Sequence, residues 1–247
     1  MKTVAYTALH YGKPYLGYAI QSVIDAVDEY IVLYSDHPSH NGGKASLPCP
    51  DTEQELHAIA ATVAGRKLRW IKGDWRYENQ QRESIYQHAP DADVILVVDS
   101  DEVWRNDTLE TAIRLVDNSD TQRWRVPIVH FWRSFYRAVL HDPAFPIRVI
   151  KPHAKAGEET LTTQRSIAHF GYALPIEYIA YKWSGIHGHQ GEYRRDCDWF
   201  KDVYVANRQF DCHPVGSEHW NPEPVDPWLY LPGFMKSHPY SKMEVIE

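Results

Sequence analysis

Cysteine is scarce. Cys49, Cys197 and Cys212 are the only 3 in 247 residues, and no two stand at Cys-x-x-Cys spacing. That excludes a disulfide framework and a zinc knuckle, and leads us to expect reduced thiols in a cytoplasmic protein. Long apolar runs are missing too. Residues 1–6 lack the apolar core of a signal peptide, and no stretch has the length of a membrane span. Positive charge is in deficit, with a net charge of −7. This excludes a whole-surface nucleic-acid binder but leaves room for a local basic groove. No Gly-x-Gly-x-x-Gly or Walker-type loop follows a strand signal, so neither a dinucleotide-binding dehydrogenase nor a P-loop enzyme is expected. There is no internal repeat and no low-complexity linker.

The chain does carry alternating strand and helix signals through its first half. Strands are expected at Thr3 to Leu9, Tyr30 to Tyr34, Leu68 to Ile71 and Val94 to Val98. Between them, Ala19, Ile20, Val23, Ile24 and Val27 recur at helical spacing behind Pro14, a residue suited to a first helical turn. Leu56, Ile59, Ala60 and Val63 make the next helix, capped by Asp51 or Thr52, and Glu78 to His88 a third. Asp107 and Glu110 resemble a capping box for a fourth. This β-α order implies a mostly parallel sheet with right-handed crossovers, whose ligands collect at the strand carboxyl ends. Thr7, His10, Tyr11, Asp36, Asp74, Asp99 and Asp101 fall there. Later, Arg123 to Val139 and Pro146 to Pro152 read as longer antiparallel strands. From Asp196 the chain is rich in Pro, Trp and Asp and is expected to wrap the core. We expect one domain over residues 1–247. Residues 1–104 form its nucleotide half, 105–195 its acceptor half and 196–247 a C-terminal extension.

The most informative segment is Asp93 to Trp104, a continuous apolar strand that opens into Asp99-Ser100-Asp101-Glu102. Clustered carboxylates repel one another, and burying them unpaired is unfavourable; a divalent cation removes the penalty. Hard oxygen ligands suit Mg²⁺ or Mn²⁺, which also take phosphate oxygens from a substrate. With Ser100 between them, Asp99 and Asp101 could leave the strand end on one side. The other reading is a strand followed by a solvated acidic loop.

With these residues in place, the chain resembles the GT-A-fold glycosyltransferases, in the family 2-like group whose motif reads Asp-x-Asp-Glu. Asn79-Gln80-Gln81-Arg82 resembles the Arg-bearing helix of that group. Pro146-Ile147-Arg148-Val149 and His169-Phe170-Gly171-Tyr172 resemble its Pro-x-Arg strand and His-x-Gly-Tyr segment. The likeness spans Lys2 to Trp183. It implies an α/β, Rossmann-related, mostly parallel sheet flanked by helices, with a smaller antiparallel part. It also implies a UDP- or GDP-linked sugar donor and Mn²⁺ or Mg²⁺. On that likeness Asp36, Thr7, His10 and Tyr11 would hold the nucleoside, and Asp99 and Ser100 would face the donor. Asp101 would bind the metal, helped by Asp99, and His169 would be its late ligand. Arg82 would offset donor charge because a departing diphosphate needs a Lewis acid and cations. Glu159, then Glu158, would be the general base.

Alternatives stand beside these roles. Asp36 also suits a turn cap, Arg82 a surface pair with Glu78 or Glu83, and His169 a core histidine. His187-Gly188-His189 competes with His169, because histidines two apart on an extended segment share a side, which brings in His189 as a metal ligand. Trp132 and Arg148 are expected at the acceptor. Alternation would put Trp132, Ser134 and Tyr136 on one face and Phe131, Arg133, Phe135 and Arg137 on the other; ordinary packing is the competing account. The acceptor is expected to be a hydroxyl of a glycan or small molecule, with a modified nucleobase in DNA less favoured at this net charge. Two other functions compete: a metal-dependent hydrolase or phosphoesterase built on Asp99, Asp101, His187 and His189, and a Ca²⁺-dependent carbohydrate-binding protein.

Overall fold

Strand alternation sets the architecture. In β1 (Thr3–Leu9), Ala5 and Leu9 point to one face and Val4 and Tyr6 to the other. In β2 (Glu29–Tyr34), Tyr30, Val32 and Tyr34 separate likewise from Ile31 and Leu33. In β4 (Val94–Val97), Val94 and Leu96 separate from Ile95 and Val97. All of these side chains are buried. Both faces are therefore covered, as continuous apolar strands require. The computed structural model describes residues 1–38, 46–140, 145–161, 167–186, 199–206 and 221–242.

The first face is covered by α1 (Lys13–Val23), α2 (Glu53–Ala64) and α5 (Asn106–Asp117). The other receives the short α3 (Glu78–Glu83) and α4 (Ile85–His88). With β3 (Leu68–Lys72), β6 (Thr121–Arg125), β9 (Ile147–Ile150) and β10 (Lys155–Thr160), the sheet has seven strands in the order β10-β6-β9-β4-β1-β2-β3. The run β4-β1-β2-β3 is parallel, and β9 is antiparallel to both β4 and β6. The class is the expected one, α/β with a mostly parallel central sheet flanked by helices.

A second sheet follows. It contains β5 (Glu102–Trp104), β7 (Ile128–Trp132), β8 (Arg137–Val139), β11 (Ile167–Tyr172) and β12 (Glu223–Pro224), in the order β12-β8-β7-β11-β5. Its partner helix is α6 (Ile176–Tyr181). Tyr204, Leu231 and Met235 from the C-terminal part join this core, and His238 stacks on Tyr15 at 4.6 Å. Among the described residues no helix is long and apolar enough to cross a membrane.

Several local expectations are corrected. Thr52 caps α2 in a reciprocal capping box with Glu55, whereas Asp51 serves α1. Its Oδ2 accepts from the backbone N–H groups of Gly12 (2.7 Å) and Lys13 (3.0 Å), and Tyr178 donates to its Oδ1. A carboxylate distant in sequence thus satisfies the orphan donors of a helix start. The helix from Glu78 is interrupted at Ser84, whose hydroxyl donates to the Gln81 carbonyl. Asp107 lies inside α5, held by Arg105, so no capping box forms there. The stretch from Arg123 is three strands, not one. It turns before Ile128 and again at Arg133, a non-glycine residue at φ 56°, so the expected alternation ends at Trp132.

Candidate functional site

The acidic motif is where the chain leaves one sheet for the other. Val98 N–H donates to Tyr6 O and ends the first sheet; Glu102 N–H donates to Asp99 O and starts β5 in the second. The carboxylates diverge across this tight turn. Glu102 is 1% exposed and points into the junction between the sheets. There Arg148 grips it through Nε (2.7 Å) and Nη2 (2.6 Å) and also reaches Asp99 Oδ2 at 2.7 Å. Arg82 pairs with Asp99 Oδ1 at 2.8 Å. Burial works to raise the pKa of Asp99, but Arg148 and Arg82 outweigh it and hold the group below the usual carboxylate range. For Glu102 burial prevails over Arg148, and the group is pushed up to about 7.

Asp101 faces the other way, into an open pocket at the carboxyl ends of β1 and β4. Burial raises its pKa, opposed by Lys182 and reinforced by Asp99. Its Oδ1 is 3.7 Å from His169 Nε2. Phe170 N–H donates to Asp101 O at 2.8 Å, tying the motif to β11. Lys182, just past α6, enters the same pocket; its Nζ donates to Gly171 O at 3.2 Å and lies 5.0 Å above the Tyr172 ring. Gly171 makes this convergence possible. A Cβ there would fall 2.6 Å from His169 Nε2 and 3.0 Å from Lys182 Nζ. Burial lowers the pKa of Lys182, with Asp101 opposing.

The far wall comes from β1 and α3. Gln81 Nε2 donates to Leu9 O and Leu33 O, fastening α3 to the ends of β1 and β2 so that Arg82 and Glu78 face the pocket. His10 Nδ1 donates to Ser35 O at 2.9 Å, which leaves Nε2 to accept from Tyr181 OH at 2.7 Å. Burial lowers the His10 pKa, so a neutral ring lines the pocket beside Tyr11. Gly12 sits at φ 145° with Ser100 directly above it; a Cβ there would fall 2.2 Å from Ser100 Oγ. Ser100 donates to Tyr11 O at 3.1 Å.

The structure thus brings together His10, Tyr11, Arg82, Asp99, Ser100, Asp101 and His169 from the residues singled out by sequence. Others lie elsewhere. Thr7 is fully buried, donating to Val98 O and bonded to Tyr30 OH. Asp36 is exposed and paired with His37 and Lys72. Arg148 is a half-buried ion-pair partner whose Nε and Nη2 donate to Glu102 and Asp99, and it is not among the residues lining the pocket. Trp132 is core, packed on Tyr172 and Tyr204, and therefore not an open acceptor platform. Glu158 and Glu159 stand exposed on β10, an edge strand of the first sheet, engaged by Arg125 and Thr121. That register gives neither a place on the pocket wall. Asp99 lines the pocket while paired with two guanidinium groups. His187 and His189 lie outside the described residues. Among the described residues no group of three or more candidate metal ligands occurs.

Sequence reading missed Lys182 and Gly12, and gave Gln81 no role of its own within the Asn79-Gln80-Gln81-Arg82 segment. Only the His-x-Gly spacing hinted at the space that Lys182 enters.

No family model matches the chain, and no curated protein matches it by sequence. Solved structures similar in part include S. aureus TarS 1-349, at 14% identity and TM-score 0.40, over 53% of this chain and 36% of TarS. A second is glucosyl-3-phosphoglycerate synthase from Mycobacterium tuberculosis in complex with Mn²⁺, UDP-glucose and phosphoglyceric acid. It is 17% identical with TM-score 0.36, over 51% of this chain and 43% of that one. HddC from Yersinia pseudotuberculosis is 11% identical with TM-score 0.41, over 73% of this chain and 98% of HddC. The chain spans little more than a third of TarS, and similarity at this level says nothing about substrate.

Proposed function

We propose that the chain is a GT-A-type glycosyltransferase that moves a sugar from a UDP- or GDP-linked donor to a hydroxyl acceptor. One observation carries this reading. Asp101, the acidic-motif carboxylate without an arginine partner among the described residues, meets His169, Lys182 and Arg82 in a pocket at the carboxyl end of a parallel sheet. Such a pocket suits a group that is anionic and metal-binding at once, which describes a diphosphate.

The donor set fits a hard divalent ion. Asp101 Oδ1 and His169 Nε2 are 3.7 Å apart, and would close to about 3.0 Å to take adjacent positions on an octahedral ion with ligands at about 2.1 Å. Asp101 and His169 would hold Mn²⁺ or Mg²⁺, an ion that is commonly bound by one or two protein groups together with water and substrate phosphate. When bound, the ion supplies Lewis-acid stabilisation of the departing diphosphate. Lys182 adds a cation beside that oxygen, and its partial burial strengthens the attraction. Arg82 answers charge on the opposite wall. His10 and Tyr11 present ring faces to the nucleoside. The acceptor is a glycan or small-molecule hydroxyl, with nucleic acid disfavoured at a net charge of −7. The cytoplasm is the proposed place of work.

The test is a thermal-shift screen of UDP- and GDP-sugars with and without Mn²⁺, on wild type and Asp101→Asn. At a donor concentration 100 times Kd, binding adds about 2.7 kcal/mol. That raises Tm by roughly 5–10 °C for a chain of this size. The rise should require Mn²⁺ and disappear in Asp101→Asn. Failure of every donor to give a Mn²⁺-dependent shift refutes the assignment.

A further inference from the structure

On the face of the first sheet that receives α3 and α4, a second pocket opens over β4, β9 and β6. Strand register sets its floor. Tyr6 stands opposite Val97 across β1 and β4, Ile95 opposite Ile150 across β4 and β9, and Ile150 opposite Arg123 across β9 and β6. Paired residues share a face, so one row runs from a phenol through branched apolar side chains to a guanidinium. Ile147 packs on the same face, and Ile85 and Tyr86, just after the break at Ser84, complete the lining from α4. The volume is about 210 Å³. That is below the roughly 300–1,000 Å³ of sites for drug-sized ligands, so the pocket admits a single ring and not a nucleotide.

Three arginines line this pocket. Arg82 and Arg148 share their charge with Glu78, Asp99 and Glu102. Arg123 is exposed and, among the described residues, pairs with no carboxylate. Glu83, the one carboxylate of the lining, is itself exposed, and solvent screens it. Tyr6 is 3% exposed; burial pushes its hydroxyl up to about 12, so it stays protonated and able to donate. We propose that this pocket binds a small arene carboxylate, its ring against Tyr6, Val97, Ile147 and Ile150 and its carboxylate on the Arg123 guanidinium. A planar guanidinium fork takes both oxygens of a carboxylate. The Tyr6 and Tyr86 rings favour a flat body over a branched one. The site stands independently of what the Asp101 pocket binds.

Benzoate is the probe, titrated into protein labelled with ¹³C at the isoleucine δ1 methyl groups. Acetate, which lacks the ring, and benzamide, which lacks the charge, are the controls. A fragment of this size is expected to bind with Kd on the order of 1 mM. Benzoate should shift the methyl signals of Ile85, Ile147 and Ile150, and both controls should bind at least about 10-fold more weakly. Arg123→Ala, a change at an exposed position, should weaken benzoate binding by about 10–100-fold. Ile147→Trp, which fills the pocket, should remove it. Lys182→Met, which alters the Asp101 pocket, should leave benzoate affinity unchanged. No shift of these three methyls at roughly 20 mM benzoate overturns the proposal. So does acetate binding as tightly as benzoate, or benzoate binding that survives Arg123→Ala and is lost in Lys182→Met.

Discussion

Removing Arg148 probes the junction between the two sheets. Its guanidinium makes three charged hydrogen bonds of 2.6–2.7 Å, two to Glu102 and one to Asp99. Arg148→Met keeps most of the side-chain volume and leaves Glu102, at 1% exposure, beside an apolar neighbour. Breaking one side of a buried pair typically destabilises by about 3–5 kcal/mol. For a chain of this size that is roughly 6–20 °C in Tm. The loss should depend on pH. Glu102 already has a folded-state pKa near 7, above its ordinary 4.5, so its contribution to stability falls as pH rises between those values. Asp99 has the opposite sign: its lowered pKa contributes stability above the ordinary carboxylate range, lost as pH falls through the folded value. Without Arg148 both pKa values rise. Glu102 is then protonated to higher pH in the variant than in the wild type, where it already ionises near 7, so the stability gap should open above pH 7, be widest at pH 8 and narrow toward pH 5. Urea unfolding of both proteins across that range measures it. The double variant Glu102→Leu/Arg148→Met should recover most of the loss, since an apolar pair of similar volume often replaces a buried ion pair without penalty. A gap below about 1 kcal/mol at pH 8, or one flat in pH, would refute the view that this arginine neutralises the motif from beneath.

Other substitutions separate the pocket from its frame. Gly12→Ala, with its Cβ directed into Ser100, should destabilise by roughly 1–3 kcal/mol in urea unfolding and abolish the donor-dependent thermal shift, because the acidic turn must move. Lys182→Met should leave the urea midpoint unchanged or higher, since it removes an ammonium whose burial is unfavourable. The same variant should weaken nucleoside diphosphate binding by roughly 10–100-fold in titration calorimetry. Glu158→Gln and Glu159→Gln should keep wild-type turnover in a diphosphate-release assay, as both lie on an exposed edge strand.

Residues 1–104 were legible because their signals are local. The strand expected from Val94, the helical spacing around Leu56 and a cap at Thr52 each lie within one element, and each formed. Errors came where a distant partner decided the outcome. Asp51 reads as a cap for the helix that follows it, yet it caps α1 across a gap of 39 positions. Trp132 reads as a sugar platform, but Tyr172 and Tyr204 cover it. Glu158 and Glu159 lie at a plausible place in sequence, and the pairing of β10 with β6 carries them to the sheet edge.

The sequence alone determined the α/β class, the parallel strand run and the position of the acidic motif at a strand end. Those features follow from side-chain periodicity and turn chemistry, which act over a few residues. It could not tell the three carboxylates apart, because their separation is a matter of which cations the fold brings near. Tertiary structure decided that Asp99 and Glu102 go to Arg82 and Arg148, while Asp101 is left for His169 and Lys182. The physical reason is that charge pairing in a buried site depends on distances of 3 to 4 Å between strands and helices far apart in the chain, and no local pattern encodes those distances.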